Sequence, residues 1–240
     1  MDQLTRDEHI ARLTLPATLD ADTVALLRGA CVAVAEEPEV RVLILDAPPG
    51  CWRGWPASLL PGLAAAGLVG DPFGPLAALP QPTVAVLRGD VLDAGLELAL
   101  CADLRVCEAG ARFGLPGVAA GRLPVAGGLQ RLARAVGRSR ATQLLLGDPI
   151  DAAWARDWGL VTESGDDPAA LAGAVADRIA ARGPIATRLA KEAVARGLEM
   201  PLDQALRYET DLTILLQSTD DRAEGVRAFL EKRPPEFRGR

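Results

Sequence analysis

Residues 83–107 read TVAVLRGDVLDAGLELALCADLRVC. The first five, TVAVL, form an unbroken apolar and β-branched run, the mark of a strand buried on both faces. A loop follows over residues 89–95, with glycine at each end. Residues 96–101, LELALC, read as a short buried helix, and residues 104–107, LRVC, as another strand. Strand, glycine loop, short helix and strand together suggest a layered α/β core with parallel strands. Within the helical piece sits Glu97, a carboxylate in an otherwise apolar run.

The same grammar extends in both directions. Upstream, HIARLTL over residues 9–15 alternates as a strand does, and VRVLIL over 40–45 is a second compact buried strand. Between them, residues 19–37 carry apolar side chains at helical spacing, with Asp20 or Asp22 as the N-cap. Residues 48–62 are a loop rich in Pro, Gly and Trp, and 72–82 hold further breakers around a short helical piece. Downstream, residues 108–111 form a turn, and 127–136 and 139–146 read as helices. From about residue 151 the pattern is mostly helical, over 151–158, 168–181, 184–196, 202–217 and 220–231. The expected organisation is an α/β core over residues 1–182. A helical region, 183–240, follows and is not an independent domain.

Composition narrows the function. The chain has 240 residues, 49% hydrophobic and 24% charged, enough for a large core and too apolar for disorder. A net charge of −6 offers no basic surface for nucleic acid. No apolar run approaches the roughly 20 residues of a spanning helix, and no leader is visible, so no membrane role and a cytoplasmic location are expected. The four cysteines lie at no metal-ligand or disulfide spacing, which favours free thiols. His9 is the single histidine, expected as a surface residue of the first strand. A Ser-His-Asp triad, a Cys-His dyad and a multi-histidine metal site are therefore poor fits, and no metal is expected.

Four blocks resemble the crotonase superfamily, the enoyl-CoA hydratase/isomerase family. They are RGDVLDAGLELALCADLRV (88–106), ARFGLPGVAAGRLPVAGGLQRL (111–132), GDPIDAAWARDWGLV (147–161) and EGVRAFLEKRPPEFRG (224–239). They keep order and spacing from about residue 40 to the end. The resemblance implies stacked β-β-α units in a spiral core, followed by C-terminal helices that mediate trimers, often paired into hexamers. It implies an acyl-CoA thioester as ligand, with coenzyme A as part of the substrate and no separate cofactor. It also implies two backbone amides that hold the thioester oxygen as it gains enolate charge. Such donors act strongly in a dry site, where losing one costs about 3 kcal/mol in other systems.

By that resemblance Ala94 and Trp55 supply the amides, and Glu97 matches the first of two catalytic glutamates. Burial would raise the Glu97 pKa, which suits a general acid or base. The plainer alternative is an acid on a first helical turn, favoured by the dipole. Several positions depart from the pattern. Asp93 and Ala94 stand where glycines are usual, and Trp55-Pro56 where a small residue and Asp are usual. Trp55 is either a donor or an aromatic plug, and Pro56 removes an N–H and biases Trp55 toward extended backbone. Gly117 stands where the second glutamate would be. Space for water or an anion is expected beside it, and standard hydratase chemistry comes into doubt. Asp93, Asp90 and Arg122 are nearby polar groups that could substitute for that glutamate, but the plainer expectations are an N-cap for Asp93, a turn residue for Asp90 and a solvated surface group for Arg122. Leu92, Gly95 and Val125 would line the acyl site, Val125 narrowing it. Arg53 and Lys232 would meet CoA phosphates. The implied function is an acyl-CoA enzyme of the hydratase/isomerase kind. The alternative is an inactive acyl-CoA-binding or scaffolding protein.

Overall fold

The computed structural model describes residues 3–54, 59–65, 67 and 70–240. Strand β1 (Leu4–Asp7) and β2 (Ile10–Thr14) pair antiparallel as a hairpin. His9 therefore lies in a turn, beside Glu8 at φ 45°, and not on a first strand. Its Nδ1 donates to the Glu39 carbonyl at 2.9 Å. Helix α1 (Ala21–Glu36) begins at Asp20, whose carboxylate accepts from the Thr23 amide at 2.9 Å.

The sheet continues through β3 (Val42–Asp46), β4 (Thr83–Leu87), β6 (Leu104–Glu108) and β9 (Glu163–Gly165). Its order is β1-β2-β3-β4-β6-β9, parallel throughout after the hairpin. Alternation on these strands splits the core in two. Val42, Ile44, Val84, Val86 and Val106 face α8 (Pro168–Ala180). Leu43, Leu45, Ala85, Leu87 and Cys107 face α1 and the short helix α4 (Ala94–Ala99). Both faces are covered, which is why these strands are apolar without a break.

A second sheet has the order β5-β7-β8, from β5 (Asp90–Leu92), β7 (Arg112–Gly114) and β8 (Ile150–Asp151). Residues 89–95, read above as a loop, thus contain a strand. The four cysteines are free and buried. Short helices α2 (Leu59–Ala65) and α3 (Gly74–Ala77) precede β4; α5 (Gly128–Val136), α6 (Arg138–Leu146) and α7 (Ala152–Asp157) come after α4, and α9 (Pro184–Gly197), α10 (Leu202–Gln217) and α11 (Asp220–Glu231) follow α8. Polar ties fasten α9 to the sheet. Lys191 donates to Asp103 at 2.6 Å and to the Gln81 carbonyl at 3.0 Å. Arg188 donates to the Val40 carbonyl at 3.1 Å. Among the described residues, no helix is long and apolar enough to cross a membrane.

Candidate active site

The site forms where β5 turns into α4. A 3₁₀ turn, Pro49–Trp52, lies directly against that entry. The contact is backbone to backbone. A Cβ on Gly95 would overlap the Trp52 carbonyl and stand 2.6 Å from the Trp52 Cα. Glycine at 95 is thus a packing requirement that lets two loops meet. Trp52 is fully buried and belongs to the core. The described part of its loop ends at Gly54, with φ +112°. Trp55 and Pro56 lie outside the described residues. Ala94 opens α4 and is buried, and no acceptor among the described residues meets its N–H.

Glu97 is fully buried. Its Oε1 accepts from the Ala126 amide at 2.7 Å and the Gly128 amide at 3.0 Å. Its Oε2 has no hydrogen-bond partner among the described residues. Burial pushes the Glu97 carboxyl above its ordinary range, against the lowering effect of the Gly128, Ala126 and Val125 amides; the nearby Asp93 charge raises it further. The carboxyl is therefore pinned by one oxygen and bare on the other. The amide cradle was not legible from the Glu97 motif. Gly128 is its visible trace: a Cβ there would come within 2.7 Å of Glu97 Cγ. Gly127, at φ +92°, makes the turn into α5, but Gly128 makes room for the carboxylate.

Asp93 departs from expectation. It holds the N-cap position of α4, but its side chain caps nothing there. Its Oδ1 accepts from the Gly117 amide at 2.9 Å, and Oδ2 lies 3.7 Å from an Arg122 nitrogen. Arg122 is exposed, yet it is an ion-pair partner and not merely a solvated group. The space expected beside Gly117 is filled. A Cβ on Gly117 would lie 2.9 Å from Asp93 Oδ1 and 3.3 Å from Arg122.

The remaining candidates scatter. Asp90 lies on β5 and not in a turn. Arg112 grips it through two bonds of 2.8 and 2.9 Å, and Arg53 approaches at 3.6 Å. The Arg112 guanidinium holds the Asp90 carboxyl below the usual range. The Arg53 side chain is largely exposed. Leu92 ends β5, and its carbonyl would lie 3.6 Å from a Cβ on Gly54. Val125 is half-exposed and precedes the cradle amide of Ala126. Lys232 caps the C-terminus of α11 at φ 55°, and no described hydrogen bond or ion pair joins it to Glu97 or its cradle.

Comparison with known proteins identifies the family. A family profile described as enoyl-CoA hydratase/isomerase matches residues 70–240. The chain is 42% identical over 168 residues to 2,3-dehydroadipyl-CoA hydratase of Escherichia coli, covering 69% of this chain and 66% of that protein. In that match it spans just under two thirds of the relative. It is 34% identical over 250 residues to crotonyl-CoA hydratase of Syntrophomonas wolfei, covering 98% and 96%. The crystal structure of an enoyl-CoA hydratase from Bacillus anthracis superposes with a TM-score of 0.91 at 31% identity, covering 99% of this chain and all of that one. A match over most of the sequence, and over the full fold, places this chain in the enoyl-CoA hydratase/isomerase family of the crotonase superfamily.

Proposed function

We propose that the chain is an acyl-CoA enzyme that adds water to, or moves the double bond of, an enoyl thioester. The observation that carries this reading is Glu97: fully buried, fixed through Oε1 by two amides, and bare at Oε2. An unpaired buried carboxylate oxygen is costly, so a merely structural role accounts for it poorly. Its raised proton affinity suits delivery of a proton to the α-carbon of the substrate. The thioester oxygen, which gains charge as the enolate forms, would sit between the Ala94 and Trp55 amides.

The other roles follow from position. Leu92, Gly95 and Val125 would border the acyl chain, with Gly117 opposite and Pro56 stiffening the Trp55 loop. Arg53 would meet the CoA phosphates, joined by Lys232 from a neighbouring subunit. No cofactor beyond the CoA moiety of the substrate is needed for this chemistry. The exposed apolar residues Val194, Leu198, Leu202, Leu206 and Ile214, on and between α9 and α10, support burial in a homotrimer or hexamer. Buried free thiols support a cytoplasmic location. The inactive acyl-CoA-binding alternative gains nothing from the relatives, whose names are those of hydratases.

The test is crotonyl-CoA turnover by wild type and Glu97→Gln, with calorimetric binding of the same thioester. The expected result is a loss of roughly 10²–10⁴-fold in kcat with binding kept. Full activity in Glu97→Gln, or a wild type that binds a panel of enoyl-CoA thioesters but neither hydrates nor isomerises any of them, would refute the reading.

A further inference from the structure

Water addition to an enoyl thioester needs two proton-handling groups, one for the attacking water and one for the α-carbon. Glu97 is one. We propose that Asp93 is the other, so that the second carboxylate of this site comes from the entry of α4 and not from position 117. This rests on the reading of Glu97 given above.

Three features of geometry carry it. First, the Asp93 backbone is held at φ 44°, ψ −119°, a region that favours glycine and strains an L residue. Nothing in α4 is gained, since the side chain caps no amide of that helix. Second, the strained backbone aims the carboxylate into the site. It lies between the two loops, with Oδ2 3.6 Å from a Cβ position on Gly54 and Oδ1 on the Gly117 amide. Third, the side chains at 93 and 117 exclude each other. The Asp93 carboxylate stands where a side chain on residue 117 would begin, so glycine at 117 is the condition for Asp93 to fit. Glu97, four residues on along α4, leaves its Oε2 without a hydrogen-bond partner among the described residues.

The roles divide by surroundings. Asp93 accepts from the Gly117 amide and lies 3.7 Å from an Arg122 nitrogen. Glu97 is buried in an apolar setting that favours its acid. In the forward step Asp93 takes one water proton as the water oxygen bonds to the β-carbon. The C=C π bond breaks, and Glu97 gives its proton to the α-carbon. The substrate has gained one water, Asp93 is protonated and Glu97 ionised. Loss of a proton from Asp93 to solvent, and its gain by Glu97, resets the pair.

The experiment compares crotonyl-CoA hydration, thermal stability and pH profiles of wild type, Asp93→Gly, Asp93→Asn and the double variant Asp93→Gly/Gly117→Glu. Asp93→Gly relieves the backbone, so its Tm is expected to equal or exceed that of wild type. Its kcat is expected to fall by about 100-fold or more with crotonyl-CoA binding unchanged. Asp93→Asn should lose the acidic limb of the pH–rate profile, which a purely structural Asp93 would leave in place. The double variant should regain at least tenfold over Asp93→Gly. Turnover within about threefold of wild type in Asp93→Gly, or an intact acidic limb in Asp93→Asn, would overturn this proposal alone. A wild type that binds enoyl-CoA thioesters but neither hydrates nor isomerises them would overturn this proposal and the function it rests on.

Discussion

Replacing Gly95 with alanine adds one methyl group at the point where two loops touch. The methyl would overlap the Trp52 carbonyl, with the Trp52 Cα 2.6 Å away. The obstacle is backbone, and the tryptophan that carries it is fully buried, so no rotamer change relieves the overlap. Overpacking of this kind costs about 1–3 kcal/mol, and an unyielding backbone places this site toward the upper end. Alanine returns about 0.5–1 kcal/mol through helix propensity. The net expectation is a loss of about 2 kcal/mol, or roughly 4–8 °C in Tm for a chain of this size. Activity should fall further than stability. The α4 entry must retreat from the 49–54 loop, and a displacement of ~1 Å at a reacting centre can cost about 10²-fold in rate. Urea unfolding and crotonyl-CoA turnover measure the two effects. Gly29→Ala is the control, because Gly29 lies within α1 and a Cβ there meets nothing within 4 Å. It should gain about 0.5–1 kcal/mol and keep full activity. If Gly95→Ala behaves like this control, the reasoning about the loop contact is wrong.

Two further perturbations follow from the same geometry. Because the folded Glu97 carboxyl binds its proton more tightly than the unfolded one, its cost to stability is absent at low pH. That cost appears as pH rises through the elevated folded value. Glu97→Gln offers a neutral oxygen to the same two amides, so its stability relative to wild type should increase from pH 5 to pH 8. Each tenfold difference in proton affinity adds about 1.4 kcal/mol; a relative stability that falls over that interval in urea titrations would contradict the burial argument. Lys191→Met removes the ammonium from Asp103 and the Gln81 carbonyl. It should cost about 1–3 kcal/mol in one cooperative transition. A separate low-stability transition would instead mark residues 183–240 as an independent domain.

What the sequence disclosed depended on element length. Strands β3, β4 and β6 and helices α8 to α11 were legible because long apolar runs and 3.6-residue spacing leave a signal. Strands β7, β8 and β9 have three residues or fewer, too short for any period. β5 hid in a loop for the same reason, although Asp90 and Leu92 flank a fully buried Val91. Glu97 stood out as a lone carboxylate among apolar residues. Its cradle did not, because amides at 126 and 128 belong to a segment about thirty positions away, and backbone donors carry no letter. Asp93 illustrates the other limit. Aspartate before a helix is most often a cap, and only its positive φ, set by the turn from β5, swings the carboxylate away from α4 toward Gly117.

Within five residues the chain accepts three arrangements that folding alone would avoid. Asp93 sits in glycine's backbone region, at a cost of order 1–3 kcal/mol. Gly95 is pressed against a buried carbonyl. Glu97 keeps a bare carboxylate oxygen in the core. A scaffold that only bound thioesters, or only assembled with a partner, would be more stable with glycine at 93 and an apolar residue or glutamine at 97. The large apolar cluster behind α4, from Leu43 and Leu87 to Phe113, is what offsets these costs. Three such costs gathered at one loop entry are what a reacting centre would show. They weigh against the binding-only alternative on stability grounds that owe nothing to the motif.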